Sequence, residues 1–384
     1  MLANAPRKSP YYTDSHEAFR ASLRRFVERE IGPFVDAWDE AGGFPRQLYR
    51  KAAAVGLLGL GFPEEFGGTP GDAFLSIIAA QELARAGSGG VAASLMSHTI
   101  GAPPIARLGS DEMKRRVLPP ILSGEKISAL AITEPDGGSD VASIRTRAER
   151  AGDHFVINGA KMFITSGVRA DFYTVAVRTG GAGKGGISLL LVERGASGFS
   201  QTPLKKMGWW ASDTAALHFD DCRVPAENLI GGENAGFAAI MFNFNSERLG
   251  MAAGANSFSQ VCYEEASAWA RERKVFGRRL IDQQVIRHKL VDMAMRINAT
   301  QAYLEASAWR VEAGDNPVAE IAMLKNQATQ TMAFCASEAV QIHGGMGFMR
   351  GTKVERIYRE VKVNAIGGGA EEIMKELAAR QLGL

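Results

Sequence analysis

The sequence lacks the features that mark membrane-spanning, secreted and nucleic-acid-binding proteins. No apolar run approaches the roughly 18 uncharged residues of a membrane span, and the first residues contain no apolar stretch of signal-peptide length. The formal net charge is only +2, from 44 basic and 42 acidic residues, so no overall field attracts nucleic acid or an anionic membrane. We therefore expect no membrane span, no nucleic-acid partner and, by default, a cytoplasmic location.

Cysteine is scarce, and histidine is never paired. The three cysteines, Cys222, Cys262 and Cys335, are scattered and lack the Cys-x-x-Cys spacing of zinc and redox sites. The six histidines never stand three or four residues apart, the spacing at which two would share a helix face. The sequence thus predicts no disulfide and no metal site, and it indicates a reducing compartment.

The hydrophobic pattern divides the 384 residues into three parts. From residue 15 to about 126 apolar residues recur at helical spacing, as at Leu23 and Phe26. Between residues 127 and 225 short segments rich in β-branched and aromatic residues are separated by Gly or Asp. Long helical patterns then return and favour an antiparallel bundle. We predict an α+β fold with a helical N-terminal domain at 1–126, a central β domain at 127–232 and a helical C-terminal domain at 233–384.

One glycine-dense segment invites a phosphate-binding interpretation. The run TGGAGKGG at 179–186 ends in Gly-Gly instead of the Ser or Thr of a P-loop, and it lies between two predicted strands. We interpret it as a hairpin loop.

Two neighbouring segments of the β domain could hold a flat ligand. ITEPDGGSD at 132–140 places hydroxyls and flexible backbone at a strand end, although a simple turn explains its Pro and Gly residues equally well. The next segment, INGAKMFITSG at 157–167, is predicted to be a hairpin in which Phe163 and Thr165 share one strand face. An aromatic ring there could stack on a flat ligand while the hydroxyl bonds its edge.

At this point a resemblance to the acyl-CoA dehydrogenase family is plain. It is carried, in order and over nearly the whole chain, by those two segments, the run from Met207 to Gly231, RERKVFG at 271–277 and QIHGGMGF at 341–348. The resemblance implies a C-terminal four-helix bundle, one FAD per subunit and a homotetramer built from dimers. It also implies an acyl-CoA substrate, a place in fatty acid β-oxidation and electron transfer to an electron-transferring flavoprotein.

The resemblance further implies which residues hold the FAD. Where this chain has Phe163 many members have Trp, so stacking is kept but the indole N–H is lost. Arg273 and Phe276 resemble residues that reach across a subunit interface to the pyrophosphate and adenine of the neighbour's FAD. The full predicted set is Leu130, Ile132, Thr133, Gly138, Ser139, Phe163, Ile164, Thr165, Arg273, Phe276, Gln284, Gln341, Gly344, Gly345 and Glu372.

The catalytic base is the residue in which this chain departs from many members. Abstraction of a thioester α proton needs a carboxylate, which many members supply from the loop before the last helix, where this chain has Gly368. A branch resembling the isovaleryl-CoA and long-chain enzymes instead has a Glu-Arg-Leu triplet, matched here by Glu247, Arg248 and Leu249. Glu247 also falls on an otherwise apolar helical stripe, where desolvation should raise its pKa. We predict that Glu247 is the base, although a Glu at the edge of the stripe that reaches water is the alternative.

The resemblance also suggests substrate contacts and leaves rival functions open. The predicted substrate-binding residues are Ser139, Asn245, Arg248, Gly367 and Gly368, although many members have Asp at the position of Asn245. The two glycines would widen the pocket for long or branched acyl groups. The predicted reaction is FAD-dependent α,β-dehydrogenation of an acyl-CoA to trans-2-enoyl-CoA. The alternatives are a carrier-protein-bound acyl group, a flavin oxidase or monooxygenase reaction, and a noncatalytic flavin- or acyl-CoA-binding subunit.

Overall fold

The first part of the chain is helical, as the sequence predicted. The computed structural model describes residues 9–384, apart from the side chains of Phe242 and Asn243. Helix α1 begins after Thr13, whose hydroxyl accepts a hydrogen bond from the backbone N–H of His16, and it buries Leu23 and Phe26. The N-terminal helices are α1 (Asp14–Glu30), α2 (Val35–Ala41), α3 (Gln47–Ala54), α4 (Ala73–Ala84), α5 (Gly89–Leu95), α6 (His98–Gly101), α7 (Pro103–Leu108) and α8 (Asp111–Leu122).

The middle of the chain forms a twisted, mostly antiparallel sheet. Its strands are β1 (Ser128–Ala131), β2 (Arg147–Ala151), β3 (His154–Thr165), β4 (Phe172–Arg178), β5 (Ile187–Glu193), β6 (Phe199–Pro203), β7 (Thr214–Pro225) and β8 (Leu229–Ile230). They follow the order β6-β7-β3-β2-β4-β5-β8, and β1 pairs in parallel with β4. Because β4 and β5 pair in antiparallel fashion, the segment at 179–186 is a hairpin loop, which confirms the prediction.

The hairpin predicted at residues 157–167 is wrong. Strand β3 instead runs on to Thr165, paired with β7 over its whole length. Register shifts after Ile157 and after Lys161 mark β-bulges. Gly159, which is typical of a turn, lies at the first of them and stays within the strand. Gly159 has a φ of 145°, and a Cβ there would lie 2.7 Å from Oγ1 of Thr146. Glycine is needed at this position because Thr146, the residue before β2, lies close by, and not because the chain reverses.

The last part of the chain is helical again and is dominated by three long helices. Its elements are α9 (Gly236–Glu272), β9 (Lys274–Val275), β10 (Arg278–Arg279), α10 (Gln284–Glu312), α11 (Val318–His343), α12 (Gly345–Phe348), α13 (Lys353–Ile366) and α14 (Glu371–Leu382). Helix α11 packs against α9, α10, α13 and α14. Over the described residues, none of the helices combines the length and apolar character that a membrane crossing needs. The three cysteines are buried free thiols.

Helix α4 connects the cores of the molecule. Ile78 and Leu83 belong to the apolar core that α1 shares with the sheet. Phe74 and Ile77 of the same helix belong to the core of the C-terminal helices. Helix α4 therefore packs against both cores and is buried over most of its surface.

Charged side chains of α13 form a buried junction between all three parts of the chain. Arg359 makes an ion pair of 2.5 Å with the buried Asp39 of α2 and stacks 3.8 Å from the ring centroid of Trp210, which follows β6. The buried Glu360 accepts hydrogen bonds from the backbone N–H groups of Gly89 at 2.7 Å and of Trp209 at 3.2 Å. Buried charges of this kind are tolerated only when they are paired or hydrogen-bonded. The position of α13 is therefore fixed against both the N-terminal helices and the β domain.

We expect Arg359→Leu to destabilise the protein by about 3 kcal/mol, because it leaves the carboxylates of Asp39 and Glu355 buried without their nearest cation. The midpoint of denaturant-induced unfolding would measure the loss. Arg380→Leu is the matched control, since Arg380 pairs with Glu376 in the last helix while both side chains stay exposed. It should change stability by less than about 0.5 kcal/mol. Equal losses of stability in Arg359→Leu and Arg380→Leu would contradict a stabilising role of Arg359 in the buried junction.

Candidate active site

A buried ion pair shapes the loop that follows β1. Lys161 of β3 has no solvent exposure, and its ammonium donates to the Ile132 carbonyl at 2.9 Å and to Glu134 at 2.8 Å. Glu134 also accepts hydrogen bonds from the backbone N–H groups of Arg145 and Thr146. Burial lowers the pKa of Lys161 to about 8. Burial acts to raise the pKa of Glu134, but Lys161 and the hydrogen bonds outweigh it and lower that pKa below its usual value.

The loop and β3 bring several of the predicted flavin-binding residues together. The backbone N–H of Met162 donates to the Thr133 carbonyl at 2.8 Å, and a Cβ on Gly138 would lie 3.2 Å from Thr133. Thr133 and Leu130 are partly exposed, Gly138 and Ser139 are fully exposed, and Ile132 is buried.

The second bulge of β3 presents an aromatic ring to the outside. Phe163 has a φ of 63°, a left-handed conformation that is rare for a bulky residue, and its side chain is 67% exposed. Ile164 points into the core, whereas Thr165 is partly exposed. Phe163 and Thr165 are therefore accessible, whereas only the backbone of Ile164 is available to a ligand. An exposed flat ring beside hydroxyl groups fits the isoalloxazine of a flavin.

Glu247 lies on α9 beneath the loop between α13 and α14. A Cβ built on Gly368 in this loop would lie 3.9 Å from Oε1 of Glu247 and 2.5 Å from Sδ of Met251. The carboxylate on the helix thus reaches the loop position at which many family members are expected to have theirs. Gly368 itself has a φ of 66°, so a side chain there would be strained and would collide with Met251.

Burial dominates the ionisation of Glu247. It raises the pKa of this carboxyl to about 7, and the positive charges of Arg248 and Lys325 only partly oppose the shift. The prediction of a raised pKa is confirmed. A carboxylate of this pKa is poised to accept a proton near neutral pH.

Two cations hold the glycine loop in place. Arg248 donates through Nε to the Gly368 carbonyl at 3.0 Å. Lys325 of α11 donates to the carbonyls of Ala365 at 3.1 Å and Gly369 at 2.8 Å. Arg248 also contacts Asn245, which in turn donates to Asn316 at 3.0 Å. The predicted substrate residues Asn245, Arg248, Gly367 and Gly368 therefore form one connected group around Glu247.

A second group of predicted FAD contacts lies at the opposite end of α9. The group comprises Arg273, Phe276, Gln284, Gln341, Gly344 and Gly345, all exposed, and Phe276 is 99% exposed. Helix α9 has 37 residues and so is about 55 Å long, which places Arg273, just beyond its end, on the order of 40 Å from Glu247. Within one chain this group is therefore far from Glu247. Glu372 is exposed in the first turn of α14.

The sequence reasoning missed three residues that organise the site. Lys161 and Glu134 lie within the motifs at 157–167 and 132–140, but no role was predicted for either of them or for Lys325. Two of them are recognisable in the sequence: Lys325 directly follows the apolar run IAML of a helix, and Lys161 precedes the apolar end of a strand. A lone cation in such surroundings is buried only with partners, and those partners belong to distant segments.

Comparisons with known proteins agree along the whole chain. Family models described as the N-terminal, middle and C-terminal domains of acyl-CoA dehydrogenase match residues 13–125, 129–222 and 234–383. The long-chain specific acyl-CoA dehydrogenase of Rattus norvegicus mitochondria is 37% identical over 97% of this chain and 87% of its own length.

Solved structures give the same result. A probable acyl-CoA dehydrogenase from Mycobacterium abscessus is 49% identical, with a TM-score of 0.95 over 97% of this chain and 100% of that one. A glutaryl-CoA dehydrogenase from Mycobacterium smegmatis, solved in complex with FADH2, is 26% identical, with a TM-score of 0.90 over 97% of this chain and 95% of that one.

We expect Lys161→Met to lower stability by about 3 kcal/mol and to reduce the FAD bound per chain, because Glu134 would stay buried without its cation. Unfolding midpoint and the flavin absorbance of the purified protein measure the two effects. Lys184→Met, in the exposed hairpin loop, is the control. Adding Glu134→Gln to Lys161→Met should recover part of the stability, since no unpaired charge then remains. If Lys161→Met alone matches Lys184→Met in both stability and FAD content, the Lys161–Glu134 pair has no positioning role.

Proposed function

The chain belongs to the acyl-CoA dehydrogenase family of FAD-dependent oxidoreductases, and we propose that Glu247 is the base of its reaction. The substrate is an acyl-CoA thioester and the product a trans-2-enoyl-CoA. The α proton of the thioester passes to the Glu247 carboxylate, the β hydrogen leaves as hydride, and a carbon–carbon double bond forms between the two carbons. A bound FAD supplies the acceptor for the hydride.

The observation that carries the proposal is the position of the Glu247 carboxylate. It is only partly exposed, has a pKa raised by desolvation to about 7 and faces the loop at Gly368. Arg248 and Lys325 hold that loop through its backbone carbonyls, so their charges are directed at the loop as well as at Glu247. The carboxylate is thereby left free to exchange a proton with substrate.

The residues of this chain fit a flavin. Phe163 is held exposed in a left-handed conformation, and Thr133, Ser139 and Thr165 supply hydroxyls on the partly or fully exposed surface around it. Phe163 would stack on the ring system, and the hydroxyls would bond its polar edge. Leu130, Ile132, Gly138 and the backbone of Ile164 complete this part of the proposed site.

The distance along α9 supports a dimer in which each FAD is shared. Arg273, Phe276, Gln284, Gln341, Gly344 and Gly345 would hold the pyrophosphate and adenine of a neighbouring subunit's FAD, with Glu372 nearby. Guanidinium and glycine backbone both suit phosphate. We further propose that electrons pass to an electron-transferring flavoprotein and that the dimers pair into a homotetramer.

Chains longer than butyryl are the proposed acyl groups. Gly367 and Gly368 add no side chain of their own beside Glu247, where Met251 packs against the loop, and the rat relative is named for long-chain substrates. Asn245 and Ser139 are the proposed contacts on the CoA side.

Glu247→Gln should abolish reduction of the bound flavin by acyl-CoA, since an amide cannot accept the α proton. Under anaerobic conditions we expect the rate at which the visible flavin absorbance bleaches to fall by about 10² to 10⁴. Glu264→Gln is the control on the same helix, because Glu264 lies at the surface in a pair with Arg85. Equal bleaching in the wild type and Glu247→Gln would keep the reaction but remove Glu247 as its base.

The same experiment separates the alternative functions. Bleaching by an acyl carrier protein thioester but not by any acyl-CoA would identify a carrier-bound substrate. Rapid reoxidation of the reduced flavin by oxygen would indicate an oxidase or monooxygenase, and binding without bleaching would indicate a noncatalytic subunit.

The rate of flavin reduction should rise with pH through about 7 and then level off. Only the ionised form of Glu247 accepts a proton, and burial raises the pKa of Glu247 to about 7, so the group is protonated and inactive on the acid side. The measurement is kcat/KM between about pH 5.5 and about pH 8.5, with product affinity at each pH as the control for binding. A flat profile over this range would contradict the assignment.

A further inference from the structure

Two glycines lie inside the longest helix that the structure describes. Gly250 and Gly254 lie in the interior of α9. Among the described α-helices of more than ten residues, glycine occurs at an interior position only here. Glycine is the least favourable helix residue after proline, because it loses the most backbone freedom on folding. A helix that keeps two of them one turn apart therefore calls for a structural or functional reason.

Close packing is not that reason. Where backbone contact requires glycine, a Cβ collides with its neighbours, as it would at Gly236, 2.7 Å from Ser188, or at Gly89, 2.3 Å from Trp209. A Cβ built on Gly250 or on Gly254 would instead have no described atom of another element within 4 Å. Both glycines face open space.

The open space is continuous with Glu247. Residues 247, 250, 251 and 254 share one face of α9 at helical spacing, and all four are partly exposed. The residues on both sides of this stripe, 248, 249, 252, 253, 255 and 256, are buried. Beyond Gly254 the stripe ends at Phe258 and Val261, which are also buried. We call this partly exposed stripe a groove; it starts at the proposed base and leads toward the buried Phe258.

Helices on both sides form the walls of the groove. Helix α4 runs along one side, since Ser257 donates to the Gln81 carbonyl at 2.8 Å and Arg85 pairs with Glu264. Helix α13 runs along the other side in the opposite direction, from the Lys353–Glu265 pair down to the glycine loop beside Met251. From Glu247 to Gly254 the floor extends about 10 Å along the helix axis.

We propose that Gly250 and Gly254 form the floor of the groove that receives the acyl chain and that they determine the chain length this enzyme accepts. The inference rests on the proposed function, because it places the reacting carbons at Glu247. The chain then extends along α9 over Gly250 first and Gly254 second, toward Phe258. The walls include apolar side chains of α4 and α13, and the floor is glycine backbone beside Met251, so the groove suits an unbranched hydrocarbon chain.

Substitution by leucine tests whether the acyl chain passes Gly250 first and Gly254 second. Butyryl-, octanoyl- and palmitoyl-CoA would be compared by anaerobic flavin reduction and by kcat/KM. Gly254→Leu should spare butyryl-CoA and lower kcat/KM for palmitoyl-CoA by at least about tenfold. Gly250→Leu lies closer to Glu247, so it should lower the value for octanoyl-CoA as well. The longest accepted chain should thus be shorter for Gly250→Leu than for Gly254→Leu.

Smaller substitutions control for changes in the helix itself. Gly250→Ala and Gly254→Ala should raise the melting temperature, because alanine favours the helix and its methyl group has room, while largely keeping the wild-type preference. Ser246→Leu, on the exposed side of α9, tests an added leucine away from the groove and should leave all three substrates unaffected. Circular dichroism and FAD content establish that each variant is folded.

The outcomes separate this inference from the proposed function. If no acyl-CoA reduces the wild-type flavin, the proposed function fails. If the wild type reacts and both folded leucine variants keep its palmitoyl-to-butyryl ratio, the groove is not the acyl site. Loss of butyryl-CoA activity in a folded, FAD-loaded Gly254→Leu would also overturn the inference, because this position would then act at the reacting carbons.

Discussion

The buried charges of α13 are the constraint on which the rest of the molecule depends. Arg359 and Glu360 tie this helix to Asp39 and Gly89 of the N-terminal helices and to the Trp209–Trp210 segment of the β domain. The same helix ends in the glycine loop that lies against Glu247. Because the charges cannot be moved without leaving a carboxylate buried and unpaired, the loop is fixed relative to all three parts of the chain.

The carboxylates of Glu247 and Glu360 show how desolvation serves two purposes. Burial raises the pKa of Glu247 and of Glu360 to about 7 in each case. Both oxygens of Glu360 accept backbone N–H groups, so this residue is committed to holding helices together. Glu247 borders the open groove over Gly250 and Gly254. The neighbouring cations, Arg248 and Lys325, donate their hydrogen bonds to carbonyls of the glycine loop instead. A raised pKa indicates chemistry only where the group is accessible to a ligand.

The β domain illustrates where reasoning from the sequence succeeds and where it stops. The accessibility of Phe163 and Thr165 on either side of the buried Ile164 was predictable because side chains alternate along a strand. The bulges of β3 were not, since Asn158-Gly159 has the composition of a turn and only the neighbouring Thr146 reveals why glycine is required. The partners of Lys161 were likewise hidden, because Glu134 and Ile132 belong to another strand end and its loop.

The sequence by itself determined the three-part fold and the helices of the C-terminal part, and it singled out Glu247 as the proposed base, because periodicity and ordered motifs are local properties of the chain. Only the tertiary structure decided that Arg248 and Lys325 hold the glycine loop and that Met251 fills the space beside Gly368. It also decided that Gly250 and Gly254 face open space. Each of these facts depends on which distant segments approach one another, and that is settled by packing between helices.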